Sequence, residues 1–196
     1  MLVLFDFGEV LGLPQTLEDR RSLAAGCGLD LETFDQRYWA HRHAYDSGDL
    51  TDAAYWSAIA DRTLETPVVT GLARLDTDSW LHLSDPVIAI HADLVARGIP
   101  TALFSNAPGV IADAIDALPP FAPMRGRYFS ARLRLAKPDP AAFAAVLTNL
   151  AHRPQDVVFV DDRPVNVAGA EAAGLRGVLF TGPEHLRADL ARVLDS

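Results

Sequence analysis

Four residues in this chain have the types and neighbours to do chemistry together. Asp6 ends the apolar run Leu2-Val3-Leu4-Phe5 and is followed by Phe7 and Gly8. Asp161 and Asp162 end a second β-branched run, Val157-Val158-Phe159-Val160. A short apolar run that stops at an acid reads as a parallel strand buried on both faces, delivering a carboxylate to the edge of a sheet. In open α/β sheets ligands bind beyond the carboxyl ends of the strands. Two strands releasing acids at one such edge would build a hard-oxygen site suited to Mg²⁺. On local grounds alone, Asp6 reads equally well as a capping acid in an ordinary strand-to-turn transition.

Lys137 is the fourth. The chain carries sixteen arginines and a single lysine, so a strong preference for arginine was set aside at this one position. An ammonium is a compact point charge where guanidinium is a planar fork. Lys137 stands beside Pro138-Asp139-Pro140, which forbids helix until the prolines are passed. A helix over 141–150 then places an N-terminal dipole beside the cation.

The elements that must position these groups alternate. Residues 99–104 form a further buried strand that delivers Ser105-Asn106, a hydroxyl and backbone N–H groups able to hold a phosphate oxygen; the competing reading makes Ser105 a cap for the helix after Pro108. Arg127 to Ser130 reads as a short strand and 177–180 as the last. Helices are expected over 85–97, 141–150, 166–173 and 183–194. Together they predict an α/β fold, a doubly wound parallel sheet flanked by helices.

From about residue 14 to 84 only helices are expected. One is capped by Thr16 or Asp19 and ends at Cys27-Gly28, a second covers 30–45, a third runs from Thr51 to about Leu64, and part of 71–83 is helical. This block interrupts the strand and helix alternation as an insertion, dividing the chain into a core of 1–13 and 85–196 and an inserted unit of 14–84.

Asp6-Phe7-Gly8-Glu9-Val10-Leu11, Leu103-Phe104-Ser105-Asn106, Lys137-Pro138, and Phe159-Val160-Asp161-Asp162 with Asn166 and Gly169-Ala170 following resemble, in order and across nearly the whole chain, the four motifs of the haloacid dehalogenase superfamily. The resemblance is to its phosphatase branch, which includes the amino-terminal domain of soluble epoxide hydrolase and bacterial sugar-phosphate phosphatases. It implies a Rossmann-like core with a mobile helical cap, and Mg²⁺-dependent hydrolysis of a small phosphorylated metabolite through an aspartyl-phosphate on Asp6. Mg²⁺ would be held by the Asp6 side chain, the Gly8 carbonyl and Asp162, with Asp161 reaching it through water. Lys137 would neutralise nucleophile and phosphate, Ser105 and the Asn106 N–H would hold phosphate oxygens, and Asn166 would orient one of these groups. Substrate selection would lie in cap residues such as Tyr38, Trp39, His41, His43, Tyr55 and Trp56, although most of these aromatics read locally as bundle core. His41 and His43, two apart on a helix, fall on different faces and make no metal pair.

One departure matters. Most phosphatases of this kind carry a second aspartate two residues after the nucleophile, as general acid and base. Here that residue is Gly8. A general acid or base contributes roughly 10²- to 10⁴-fold, so the expected substrates are esters whose leaving group needs little protonation: anomeric sugar, aryl or acyl phosphates. Glu9 is a candidate replacement, with an exposed, idle carboxylate as its bland alternative. Two other readings stand beside the phosphatase. One is a catalytically weak protein of the same fold that binds a phosphorylated ligand or partner; the other is a metal-independent dehalogenase using the same aspartate, which has no need of the 161–162 pair.

Composition narrows the class. The formal charge of −9 and the lack of a basic stripe, beyond four arginines between Arg125 and Arg134, argue against a nucleic-acid partner. No apolar run is long enough to span a membrane, the chain opens in a strand without a basic-then-apolar leader, and the single cysteine, Cys27, makes an internal disulfide impossible. These features predict a cytoplasmic protein with no membrane partner. Arg132 and Arg134, just before Lys137, read as either solvent-facing or substrate-reaching.

Overall fold

The computed structural model describes residues 1–194. Five parallel strands form one sheet: β1 (Leu2–Phe5), β2 (Thr101–Ser105), β3 (Arg127–Phe129), β4 (Val157–Asp161) and β5 (Arg176–Leu179), in the order β3-β2-β1-β4-β5. The chain thus winds outward from β1 in both directions, and the order reverses at β1. All four residues of β1 are fully buried. Alternation along this strand feeds two cores. Val3 and Phe5 pack with α5 (Asp85–Ala96), α6 (Gly109–Asp116) and α10 (Pro183–Leu194). Leu2 and Leu4 face α8 (Pro140–Leu150) and α9 (Pro164–Ala172) on the other side. A four-residue turn of helix, α7 (Ser130–Leu133), follows β3 directly.

Between β1 and α5 lie four helices, α1 (Leu17–Cys27), α2 (Leu31–Asp46), α3 (Asp52–Ala60) and α4 (Thr66–Trp80), which enclose their own apolar cluster including Phe34, Tyr38, Tyr55 and Trp56. Thr16 and Asp19 cap α1 together, each accepting from the other's backbone N–H, and Gly28 closes the helix at φ 74°, a left-handed position that glycine occupies freely. The two strands of chain linking this block to the core run side by side: the Leu13 N–H donates to the His82 carbonyl at 2.6 Å and the Ser84 N–H to the Leu11 carbonyl at 2.9 Å.

Several boundaries differ from the sequence reading. Helix α3 stops at Ala60, not Leu64, because Asp61 turns left-handed (φ 56°) and donates back to Ala58; aspartate tolerates that region better than most residues. Helix α4 starts at Thr66, five residues before Gly71, with Pro67 in its first turn where no N–H is needed. Strand β3 ends at Phe129, and Ser130 opens a helix instead. Helix α9 likewise begins at Pro164, ahead of Asn166.

Candidate active site

The carboxyl ends of β1, β2 and β4 converge, and the groups that the sequence scatters over 160 residues meet there. Phe5 pairs with Leu103 on one side and Val160 on the other. Asp6 therefore leaves the sheet between Ser105-Asn106 and Asp161-Asp162. The Asp6 backbone N–H still donates to the Val160 carbonyl at 2.8 Å. Beyond it the chain bends into a tight turn over Phe7–Leu11, with Gly8 extended (φ −61°, ψ 129°) and Glu9 left-handed (φ 56°).

Lys137 lies at the centre of this arrangement. Its Nζ is 2.8 Å from Asp6 Oδ1 and 2.7 Å from Asp161 Oδ2, and its side chain is almost wholly buried, over the rings of Phe104 and Phe159. Asn106 anchors the Lys137 backbone by two bonds of 2.9 Å, its amide donating to the Lys137 carbonyl and its oxygen accepting from the Lys137 N–H. The Lys137-Pro138 bond is cis. Helix α9 presses closely on this loop: a Cβ on Gly169 would stand 2.6 Å from the Pro138 carbonyl oxygen, a contact only glycine allows.

The three acids play unequal parts. Asp6 Oδ1 accepts from the Phe7 N–H at 2.7 Å. Asp161 is fully buried and saturated: besides Lys137, it accepts from Asn166 Nδ2 at 3.0 and 3.1 Å and from the Arg163 N–H at 2.9 Å. Asp162 is half-buried and carries no such partners among the described residues. One carboxylate oxygen of each of Asp6, Asp161 and Asp162 falls within 4.8 Å of the others. Burial pushes Asp6 up to about 7 against the opposing pull of Lys137, and pushes Asp162 up to about 6, with the Asp161 charge adding to it. Raised carboxylates packed this closely want a cation. A hard divalent ion fits the donor set, which is all oxygen.

Of the residues singled out from sequence, Asp6, Gly8, Ser105, Asn106, Lys137, Asp162 and Asn166 line one cleft of about 560 Å³, with Asp161 directly beneath them. Ser105 does not cap the helix that follows; α6 has no side-chain cap, and Ser105 lies buried at the cleft floor. Asn106 gives its side chain to the Lys137 backbone, a positioning role the sequence did not suggest. Asn166 holds Asp161 rather than any group facing the cleft directly. Arg132 and Arg134 do not line the cleft: Arg132 pairs with Asp113 and Asp116, and Arg134 with Asp49 and the Gly48 carbonyl across to α2.

The helical block supplies the opposite wall. Trp39, Arg42, His43 and Asp46 line the cleft from α2, joined by Trp80 from the end of α4. Their spacing of three, one and three is a helical stripe, legible in sequence once α2 is known to present a second face to the core. Tyr38, Tyr55 and Trp56 are buried inside the block, as their local pattern indicates. His41 is not a cleft residue. Arg42 is buried among Asp46, 2.7 Å from its Nε, Asp76 at 3.2 Å, and the Tyr38 hydroxyl. Ser130 ties the two walls together, its hydroxyl accepting from the Ala107 N–H at 3.0 Å and donating to the Asp46 carbonyl at 2.5 Å.

Comparison with known proteins fits this geometry. Residues 1–174 match the family model of the haloacid dehalogenase-like hydrolases. Phosphoglycolate phosphatase 1 of Pseudomonas aeruginosa is 31% identical over 135 residues, 66% of this chain and 42% of its own length. The chain thus spans less than half of that relative, and smaller parts of the other curated relatives it matches. Among solved structures, a predicted HAD-like family hydrolase from Porphyromonas gingivalis superposes with a TM-score of 0.76 at 18% identity, over 100% of this chain and 98% of that one. A HAD family enzyme from Bacteroides thetaiotaomicron, in complex with magnesium and inorganic phosphate, gives 0.73 at 17% identity over 91% and 92%. Haloacid dehalogenases share the same fold. At these identities the likeness is one of architecture.

Proposed function

We propose that this chain, which belongs to the haloacid dehalogenase-like hydrolases, is a Mg²⁺-dependent phosphatase of a small phosphorylated metabolite, with Asp6 as nucleophile. The observation that carries the reading is the Asp6–Lys137–Asp161 bridge with Asp162 beside it. A phosphate dianion meeting Asp6 is repelled unless positive charge stands between them. Phosphoryl transfer is a matter of in-line placement and charge neutralisation, and the buried Lys137 bridge supports the second.

The chain's own groups divide the work. Asp6, fixed by the Phe7 N–H and by Lys137, attacks phosphorus. Lys137 neutralises the nucleophile and the incoming oxygens. Ser105 and the backbone N–H of Asn106 hold phosphate oxygens at the end of β2. Asp6, the Gly8 carbonyl and Asp162 would hold the metal, with Asp161 behind them, kept in place by Asn166 and the Arg163 N–H. When bound, Mg²⁺ would screen the phosphate charge from the surrounding carboxylates. The four-helix block serves as the cap that covers the cleft and selects the substrate.

The relative identified as a phosphoglycolate phosphatase supports this reading over a dehalogenase, as does the pair at 161–162, which metal-free chemistry does not need. Gly8 favours substrates whose leaving group departs without a proton. Phosphate release from p-nitrophenyl phosphate and glucose 1-phosphate, with and without Mg²⁺, tests the proposal. Metal-dependent turnover that is lost in Asp6→Asn supports it. Phosphate release indifferent to metal contradicts the Mg²⁺-dependent reading, and no turnover on a wide ester panel points to a dehalogenase or a binding protein.

A further inference from the structure

The cleft has two halves of opposite character. Its floor is ionic, as described. Its mouth is walled by Trp39 and Trp80 from the helical block and by Val165 from α9, while Ile111 and Ile115 of α6 border the cleft from within the buried core. Trp39 leaves 56% of its surface open, among the most exposed of the large apolar side chains, and it faces a cleft rather than bulk surface. Large exposed apolar groups that line a pocket mark where a ligand sits.

Trp80 is fixed. Its Nε1 donates to the Tyr38 hydroxyl at 3.0 Å, and the Arg42 guanidinium lies 5.5 Å from its ring centroid. Its ring is edge-on to Trp39, with centroids 6.5 Å apart and planes at 85°. Its far edge reaches over the nucleophile loop, 3.7 Å from where a Cβ on Gly8 would stand. An aromatic edge thus borders the place from which an acid at residue 8 would act.

Of the three polar residues that this wall brings to the cleft, Arg42, His43 and Asp46, two are already paired with each other. Arg42 is held by Asp46 and Asp76, so neither it nor Asp46 is free to bind the hydroxyls of a sugar without losing a partner. Displacing a buried pair leaves an uncompensated charge.

We infer that the substrate is an aryl phosphate, its ester oxygen attached directly to a flat ring that packs on Trp39 beside Trp80 and Val165. This deepens the phosphatase reading and rests on it. An Asp6 oxygen forms a bond to phosphorus as the phosphorus–oxygen bond to the ring breaks, and the electron pair leaves on the phenolate oxygen. A phenol ionises near pKa 10 and water near 15.7, so a phenolate departs without the acid that Gly8 lacks. Water then attacks phosphorus, the Asp6–phosphorus bond breaks, and the carboxylate and dihydrogen phosphate result, the water's protons leaving on the phosphate.

The test compares 1-naphthyl phosphate with acetyl phosphate, a ringless acyl phosphate whose acetate also leaves unprotonated. Both are assayed with Mg²⁺ in the wild type, Trp39→Ala and Trp39→Phe. The expected result is that Trp39→Ala lowers the ratio of kcat/KM values, naphthyl over acetyl, by about tenfold, the scale of lost aromatic packing. The loss appears in KM, and Trp39→Phe recovers most of it. An unchanged ratio in Trp39→Ala overturns the inference while leaving the phosphatase intact. No metal-dependent release from either compound by the wild type overturns the phosphatase reading and this inference with it.

Discussion

Lys137 Nζ and Asp161 Oδ2 lie 2.7 Å apart at the bottom of the cleft, and the same ammonium reaches Asp6 at 2.8 Å. One buried cation therefore balances two buried carboxylates contributed by the two adjacent strands β1 and β4. Removing it leaves both acids uncompensated. Lys137→Met is expected to cost about 3–5 kcal/mol in stability, read by urea denaturation, and to abolish phosphate release. Lys137→Arg keeps the charge, but its planar fork has no room among Phe104 and Phe159. It restores stability only in part and activity hardly at all.

Asn166 is a positioning residue. Its amide donates to both oxygens of Asp161, so Asn166→Ala is expected to lower kcat roughly 10- to 100-fold, the scale of lost outer-layer support at metal sites, and to weaken Mg²⁺ binding measured by calorimetry. Asn166→Asp, which adds a carboxylate beside a buried one, falls further than alanine in both.

Mg²⁺ affinity is expected to depend on pH in a stated direction. Burial raises Asp6 to about 7 and Asp162 to about 6 in the metal-free protein. A cation binds the deprotonated forms, so affinity is full above pH 8 and falls as pH drops through 7 and 6. Titration calorimetry at pH 8.0 and 5.5 should show proton release on binding at the lower pH. Equal affinities at the two values would contradict the assignment of these acids as ligands.

Gly8 is extended and unstrained, so Gly8→Asp is expected to fold. A restored acid favours alkyl over aryl esters, and the kcat/KM ratio of a primary alkyl phosphate to p-nitrophenyl phosphate should rise. The gain is expected at the lower end of the 10²- to 10⁴-fold typical of general acids.

In the helical block, Arg42→Leu strands Asp76, a buried acid whose other partners are the Tyr38 hydroxyl and the Gln15 amide. The expected loss is about 3 kcal/mol. The double variant Arg42→Leu with Asp76→Leu recovers only part of it, since Asp46, the other acid held by Arg42, still loses its partner.

The stability of Asp116 illustrates the opposite sign. Its hydrogen bonds from Arg127 and Arg132 hold the carboxyl below the usual carboxylate range. The folded pKa is below the unfolded one, so this contribution is present above about pH 4 and vanishes as the acid protonates below it. Asp116→Asn is expected to narrow the stability difference between pH 7 and pH 3, read by urea midpoints.

What the sequence determined by itself was whatever depends on short-range pattern and on residue type. The runs ending at Asp6, Ser105 and Asp161 are strands because a chain buried on both faces must be apolar throughout, and such runs are visible locally. The lone lysine among sixteen arginines marked its position without any structure. The caps at Thr16 and Thr51, the largely helical character of 17–80 and the alternation of strand and helix all follow from neighbours within a few residues.

What only the tertiary structure decided is how distant groups share their partners. Asp161 and Asp162 are adjacent and alike in sequence, yet the strand's alternation turns one inward to Lys137, Asn166 and the Arg163 N–H and leaves the other facing the cleft. Asn106 became an anchor for the Lys137 backbone, and Arg132 and Arg134 were drawn to Asp113, Asp116 and Asp49, because each found a partner more than ten residues away. Trp39 and Tyr38 are neighbours in the chain with equal claims to the core. The packing of α2 between the other helices of its block and the sheet edge buried Tyr38 and left Trp39 at the mouth of the cleft. That difference is one of helical phase against two surfaces at once, and a single strand of sequence shows only the phase.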